Sequence, residues 1–238
     1  MIFARERAEV IANKLKKLMV VRKFQLDDWK VKEGFFLRPE EADRAEEDWE
    51  TFDSRLMHWY GPDRHYWFRT VFTVPEEYDG KGLWLRIRTQ IEEWDDAKNP
   101  QFLVFLNGEV VQGADMNHRE VLLSEAATAG ETVTVDLQAY SGTLHPEFRL
   151  MADVEEVSES VKDLYYDIQV PLWAMDRMDQ EGKTAIDILT VLNDTISLLD
   201  LRDVFSDDFY RSVEAARAYI AKALYEDLAG DDTVIATC

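Results

Sequence analysis

Two short runs contain the residue types from which a binding surface for a polar ring could be built. The first is Glu92-Glu93-Trp94-Asp95-Asp96-Ala97-Lys98-Asn99-Pro100, one large aromatic set among carboxylates and an amide. A sugar presents an apolar C–H face and a rim of hydroxyls, so an indole beside planar hydrogen-bonding groups suits it. The more ordinary role of such a tryptophan is to close the end of a hydrophobic core. The second run is Gln112-Gly113-Ala114-Asp115-Met116-Asn117-His118. Here Asp115 can fix the tautomer of His118, or both can face a ligand across a domain boundary, although a lone histidine is more often a hydrogen-bonding strut. Trp94, Asp95, Asp115 and His118 are therefore the candidate substrate-contact residues.

Catalysis within the chain has less to recommend it. Glu76-Glu77, Glu92-Glu93 and Asp95-Asp96 are of the right type for a glycosidic acid and base. Neighbours of this kind arise by chance among 48 acidic residues, and consecutive strand residues point to opposite faces. His58, His65, His118 and His145 show no HExxH-like spacing, and there is neither a glycine-rich phosphate loop nor a Gly-x-Ser-x-Gly elbow. The single cysteine, Cys238, excludes a disulfide or a cysteine-based metal site within the chain. No catalytic residue and no metal ligand is assigned.

The elements that position the two runs are strands. Phe68, Thr70, Phe72 and Val74 alternate with polar neighbours, as do Leu83 to Ile87, Phe102 to Leu106, Val133 to Leu137 and Phe148 to Val154. Strict alternation is the mark of a half-buried strand, and glycines and prolines punctuate these five segments. Asn107-Gly108 is the clearest turn, because a two-residue hairpin needs φ > 0 at both central positions. These features predict an antiparallel β-sandwich over 21–157, with further edge strands at Gly34 to Leu37 and Arg55 to Tyr60 around a solvated acidic run from Glu40 to Glu50.

Helical periodicity flanks the sandwich. Ala4, Ala8, Ile11, Leu15 and Leu18 predict an amphipathic helix within 1–20. After Val157 three helices are expected across 158–230: one carrying Val161, Leu164, Tyr165 and Ile168 that Pro171 ends or kinks, one after Gly182, and one with Ser206 to Asp208 in its first turn and Phe209, Val213, Ala216, Ile220 and Leu224 on its stripe. Residues 231–238 end in Thr233-Val234-Ile235-Ala236-Thr237-Cys238, which reads as a buried parallel strand opening an α/β domain, so the chain is expected to be truncated. The fold class is α+β.

The totals exclude several functions. At 238 residues the chain is long enough for a sandwich plus a second element, and 46% hydrophobic residues set it apart from disordered chains. A formal charge of -21 repels phosphate backbones and anionic lipid, so neither nucleic acid nor a membrane surface is an expected partner. There is no signal-peptide pattern and no long apolar run, which makes the cytoplasm the expected compartment.

Taken together, His65-Tyr66-Trp67-Phe68-Arg69-Thr70-Val71-Phe72, the run from Trp94 to Asn107-Gly108, and Gln112 through Glu120 resemble the N-terminal region of a glycoside hydrolase family 38 α-mannosidase of the cytosolic or bacterial type. The resemblance covers nearly the whole chain, and its Trp94 to Glu120 part is the most specific. It implies a jelly-roll, galactose-binding-like sandwich and a helical segment leading to a catalytic domain absent from this chain. It further implies a retaining, zinc-dependent α-mannosidase whose zinc ligands and catalytic carboxylates lie beyond Cys238. On that reading the chain alone is inactive. Its partners are its own catalytic domain, α-mannoside glycans and, as an open alternative, further copies of itself. A free-standing carbohydrate-binding module, and an oligomerisation scaffold in which the N-terminal helix and the three late helices supply subunit contacts that polar residues at Ile11 and Leu15 would break, are the competing readings.

Overall fold

The computed structural model describes residues 3–46, 48–89, 99–144, 147–179 and 181–228. Helix α1 (Ala4–Leu18) leads into strands β1 (Val20–Leu26) and β2 (Asp28–Glu33), a short helix α2 (Pro39–Arg44), then β3 (Glu50–Asp53), β4 (Trp59–Tyr60), β5 (His65–Thr73) and β6 (Leu83–Arg88). There follow β7 (Gln101–Leu106), β8 (Glu109–Ala114), β9 (Glu120–Ser124), β10 (Thr132–Tyr140), β11 (Glu147–Phe148) and β12 (Met151–Val157). The helices α3 (Glu159–Met175), α4 (Lys183–Ser197) and α5 (Asp207–Ile220) come last, α5 widening into a π-helical stretch over Ala221–Leu228. The architecture is α+β, as the change of period predicts. Two compact units result: residues Arg22–Val157, and α1 together with the helices that follow Ser158.

The first unit is a β-sandwich. Its larger sheet has the order β3-β2-β5-β10-β7-β8 and its smaller one β1-β12-β6-β9, while β11 pairs with β4 in a separate ribbon. β10 is the central strand, antiparallel to β5 on one side and β7 on the other, so Leu137 stands between Phe68 and Val104. The inward set expected from alternation fills the core: Phe68, Val104, Leu137, Leu85 and Val154 are all fully buried. Burying each such side chain is worth about 1.5–3 kcal/mol relative to leaving it exposed, so these rows fix which face of each strand points inward.

Alternation also sends Trp67, Arg69 and Phe105 to the opposite face of the larger sheet, and there they are not left to solvent. Trp67, Phe105 and Ala42 form a second, smaller cluster, with the Trp67 and Phe105 rings 5.3 Å apart. Helix α2 brings Ala42 to it, and the buried Lys32 ammonium donates to the Ala42 carbonyl at 2.6 Å. The acidic stretch expected to be a solvated loop or helix face therefore begins as a covering helix with one buried side.

Two predicted edge strands are corrected. Gly34 to Leu37 is a bend: Gly34 has φ 151, and a Cβ there would come within 2.6 Å of the Phe36 ring. Of Arg55 to Tyr60 only Trp59 and Tyr60 are extended, paired to β11. The Phe148 to Val154 segment divides at Arg149-Leu150, Phe148 pairing with Trp59 and β12 with β6.

In the helical unit, α1 buries Ala4, Ala8, Ala12 and Leu15. Leu15 is part of this unit's own core, so a polar residue there would unfold the unit instead of reporting on a subunit contact. The α5 stripe is buried as predicted, and Ser206 caps the helix by accepting the Phe209 amide at 3.2 Å. Pro171 does not end α3, which continues to Met175. A proline cannot donate to the carbonyl four residues earlier; here the Tyr225 hydroxyl donates to that Asp167 carbonyl at 3.3 Å and replaces the missing bond. Tyr225 is buried enough that its hydroxyl pKa is pushed up to about 12, which keeps it a donor. Among the described residues no helix is long and apolar enough to cross a membrane. The strand expected at Thr233 to Cys238 lies outside the described residues.

Candidate functional site

The β8–β9 connection is built around one carboxylate. Asp115 Oδ1 accepts the backbone amides of Asn117 at 2.8 Å and His118 at 2.7 Å, and lies 3.1 Å from His118 Nδ1. The Asp115 amide in turn donates to the His118 carbonyl. Short polar side chains that accept amides two and three residues on are what close such turns. Burial raises the Asp115 pKa, but the hydrogen bonds from His118 and Asn117 outweigh it and hold the carboxyl below its ordinary value. Asp115 and His118 are thus brought together, with the imidazole 73% exposed.

The other singled-out run reaches the same end of the sandwich at its described residues. Asn99 is buried, and its Nδ2 sits 3.3 Å from Met116 Sδ. Arg119 Nε donates to the Met116 carbonyl at 2.7 Å, which fixes the turn from the opposite side. Between the two runs, Arg88, Pro100, Phe102, Asp115, Met116 and Arg119 border a void of about 10 Å³. That is room for at most one water, not for a sugar ring. Trp94 and Asp95 lie outside the described residues.

A roomier concavity, of about 220 Å³, sits on the outer face of the larger sheet and was not singled out from the sequence. It is lined by Phe35, His65, Gln101, Leu103, Gln138 and Tyr140. The signal that finds it is strand register: Gln101 and His65 flank Tyr140 on β7, β10 and β5. Five of these six residues are polar or aromatic, and no lysine or arginine is among them.

Acid, base and metal chemistry find little support among the described residues. His58 Nδ1 lies 3.1 Å from Glu147 Oε1, a pair at the surface. No three His, Cys, Asp or Glu side chains approach one another so as to hold a metal ion among the described residues. The zinc implied by the resemblance thus has no fitting ligand set there, and none is assigned to this chain.

No family model matches the sequence, and no curated protein matches it. Among solved structures, similarity is found to β-glucuronidase from Ruminococcus gnavus. Its complex with D-glucuronic acid is 15% identical, with a TM-score of 0.39, over 58% of this chain and 30% of that one. Its complex with C6-substituted uronic isofagomine is 14% identical, with a TM-score of 0.38, over 58% and 29%. Another crystal structure of that enzyme gives 16% identity and a TM-score of 0.37 over 57% and 28%. The chain thus spans under a third of the length of these glycoside hydrolases. A likeness of that size concerns part of a fold and carries no argument about substrate or activity.

Proposed function

We propose that this chain is a non-catalytic, ancillary region of a glycoside hydrolase, and that the enzyme it serves is a retaining, zinc-dependent α-mannosidase acting on terminal α-mannosyl residues of glycans. The observation that carries the reading is how the resembling runs are distributed. His65 to Phe72 lies in β5, the Asn107-Gly108 turn joins β7 to β8, and Gln112 to Glu120 runs from the end of β8 through its connection to the first residue of β9. Strands β5, β10, β7 and β8 are consecutive in one sheet. These runs, separated in the sequence, therefore come together largely within one sheet, which supports a shared structural role. In this role the sandwich packs on the catalytic domain, borders the substrate entrance or a subunit contact, and restricts which mannosides enter. Trp94, Asp95, Asp115 and His118 are the proposed border.

The test is hydrolysis of an aryl α-mannoside by the native protein as its coding sequence encodes it, with and without a zinc chelator, beside residues 1–238 alone. Chelator-sensitive hydrolysis by the native protein and none by the 238-residue chain is the expected result. Activity in the isolated chain removes the ancillary role. Hydrolysis of β-glucuronides or other glycosides without α-mannosides keeps the glycosidase class and removes the mannoside assignment.

A further inference from the structure

We propose that the cleft on the outer face of the six-stranded sheet, over the His65, Tyr140 and Gln101 ends of β5, β10 and β7, binds one neutral hexose unit of a glycan. The inference rests on the carbohydrate part of the reading above and not on mannoside chemistry. Its geometry is set by register: Gln101 and His65 flank Tyr140, and in the next outward row Leu103 and Trp67 flank Gln138. Phe102 and Ala139 point into the core from the strands between, so what they offer the cleft is main chain.

The aromatic side of the cleft is preformed. Phe35, 64% exposed after β2, meets the His65 ring edge-on at 4.8 Å, and His65 meets Tyr140 at 5.1 Å. The Tyr140 hydroxyl donates to Asp63 Oδ1 at 3.1 Å, and the Asp63 amide donates to the Gly142 carbonyl at 2.7 Å. This fixes the phenol against the end of β10. Gln138 is held likewise by its Nε2, which donates to the Phe36 carbonyl. Aromatic faces are negative and attract the weakly positive axial C–H bonds of a pyranose, while Gln101 and the remaining valences of Gln138 and His65 suit its hydroxyls.

Size and charge narrow the ligand. A volume of about 220 Å³ corresponds to about seven waters, below the ~300–1,000 Å³ of drug-sized sites and suited to one ring with its hydroxyls. Among the described residues no arginine or lysine lines the cleft, and the chain carries a net charge of -21, which disfavours uronic acids and phosphosugars. An aromatic group of this kind also suits a quaternary ammonium ion. The neutral amides and the commitment of Asp63 to Tyr140 favour a hydroxylated ligand instead.

The experiment is calorimetric and side-chain-amide NMR titration of the full 238-residue chain with methyl α-mannoside, methyl β-glucoside, methyl β-galactoside, a methyl glucuronide and tetramethylammonium. A neutral hexoside should bind in the millimolar range and shift the Gln101 and Gln138 amides. Phe35→Ala and Gln101→Ala should each weaken it about tenfold. Both positions are exposed, and unchanged far-ultraviolet circular dichroism will show that the variants fold. Leu56→Ala, at an exposed position outside the cleft, should bind as the parent does. Binding that survives Phe35→Ala and Gln101→Ala, or that vanishes in Leu56→Ala, overturns the site. So do tighter binding of the glucuronide or of tetramethylammonium than of every neutral hexoside, and silence to all five. Binding of glucoside or galactoside in place of mannoside supports the cleft while counting against the mannosidase reading. Mannosidase activity in the native protein beside a silent cleft removes the cleft alone.

Discussion

Removing Arg69 should cost the sandwich more than removing almost any other partly exposed side chain. Its Nε donates to Asp136 Oδ1 at 2.5 Å and its Nη1 to Asp43 Oδ1 at 2.7 Å, while the guanidinium lies 4.8 Å from the centre of the Trp49 ring. Asp136 is 1% exposed, so Arg69→Ala leaves a buried carboxylate without its cation, with Asp43 and Glu40 adding like charge. Breaking such a pair costs ~3–5 kcal/mol, and because Arg69 retains 22% exposure the lower end applies, about 3 kcal/mol. At about 2–4 °C per kcal/mol for a chain of this size, the melting temperature should fall by roughly 6–12 °C. The assay is urea or thermal unfolding followed by tryptophan fluorescence, because six of the seven tryptophans lie in Arg22–Val157. Burial, opposed by the Arg69 hydrogen bond and charge, holds the Asp136 carboxyl above its ordinary pKa. A raised acid costs stability above its folded pKa, and that cost fades as pH falls through it. Losing Arg69 raises that pKa further, so the deficit should shrink toward acid pH. Arg69→Met with Asp136→Leu, which removes both charges, should recover most of the loss. A single-variant cost below about 1 kcal/mol, or a double variant no more stable than Arg69→Ala, would refute the reasoning.

Two further outcomes are expected. Tyr225→Phe leaves the Asp167 carbonyl without the donor that substitutes for Pro171, and should lower helical-unit stability by about 1–2 kcal/mol in circular-dichroism melts; Pro171→Ala in the same background should restore it. Asp115→Ala removes the acceptor of two turn amides and should broaden the Asn117 and His118 amide resonances. Because the Asp115 pKa is depressed, its contribution is present above the ordinary carboxylate range and lost as pH falls through the folded value. The parent turn should therefore loosen on acidification while Asp115→Ala shows no such step.

Where local chemistry decides structure, the chain could be read directly. The Asn107-Gly108 turn has φ of 51 and 89, and Asn107 Oδ1 accepts the Thr134 amide at 2.9 Å, so the dipeptide both bends the hairpin and ties it to β10. The α5 stripe was legible because every fourth or third residue from Phe209 to Leu224 is apolar and buried. β2 was not legible, because its Lys32 is buried against the Ala42 carbonyl and breaks the expected polar-out alternation. That Pro171 would not end its helix was hidden for a related reason: a distant tyrosine supplies the hydrogen bond that the proline cannot. The Asp115–His118 contact followed from their spacing of three. The cleft did not, since Phe35, His65, Gln101 and Tyr140 meet only through a register that periodicity alone does not specify.

The discontinuous helical unit has a consequence for synthesis. α1 leaves the ribosome well before α3, on which it packs and which begins some 140 residues later. At ~5–20 residues per second the interval is roughly 7 to 30 seconds, during which the whole sandwich can emerge and fold. Throughout that time the stripe of α1 waits without a partner. Its fully buried positions are three alanines and one leucine, Leu15, flanked by the partly buried Ile11 and Leu18, so half of the stripe is made of the smallest apolar side chain. Lengthening that stripe with larger residues would strengthen the finished bundle only by making its first helix stickier while it waits.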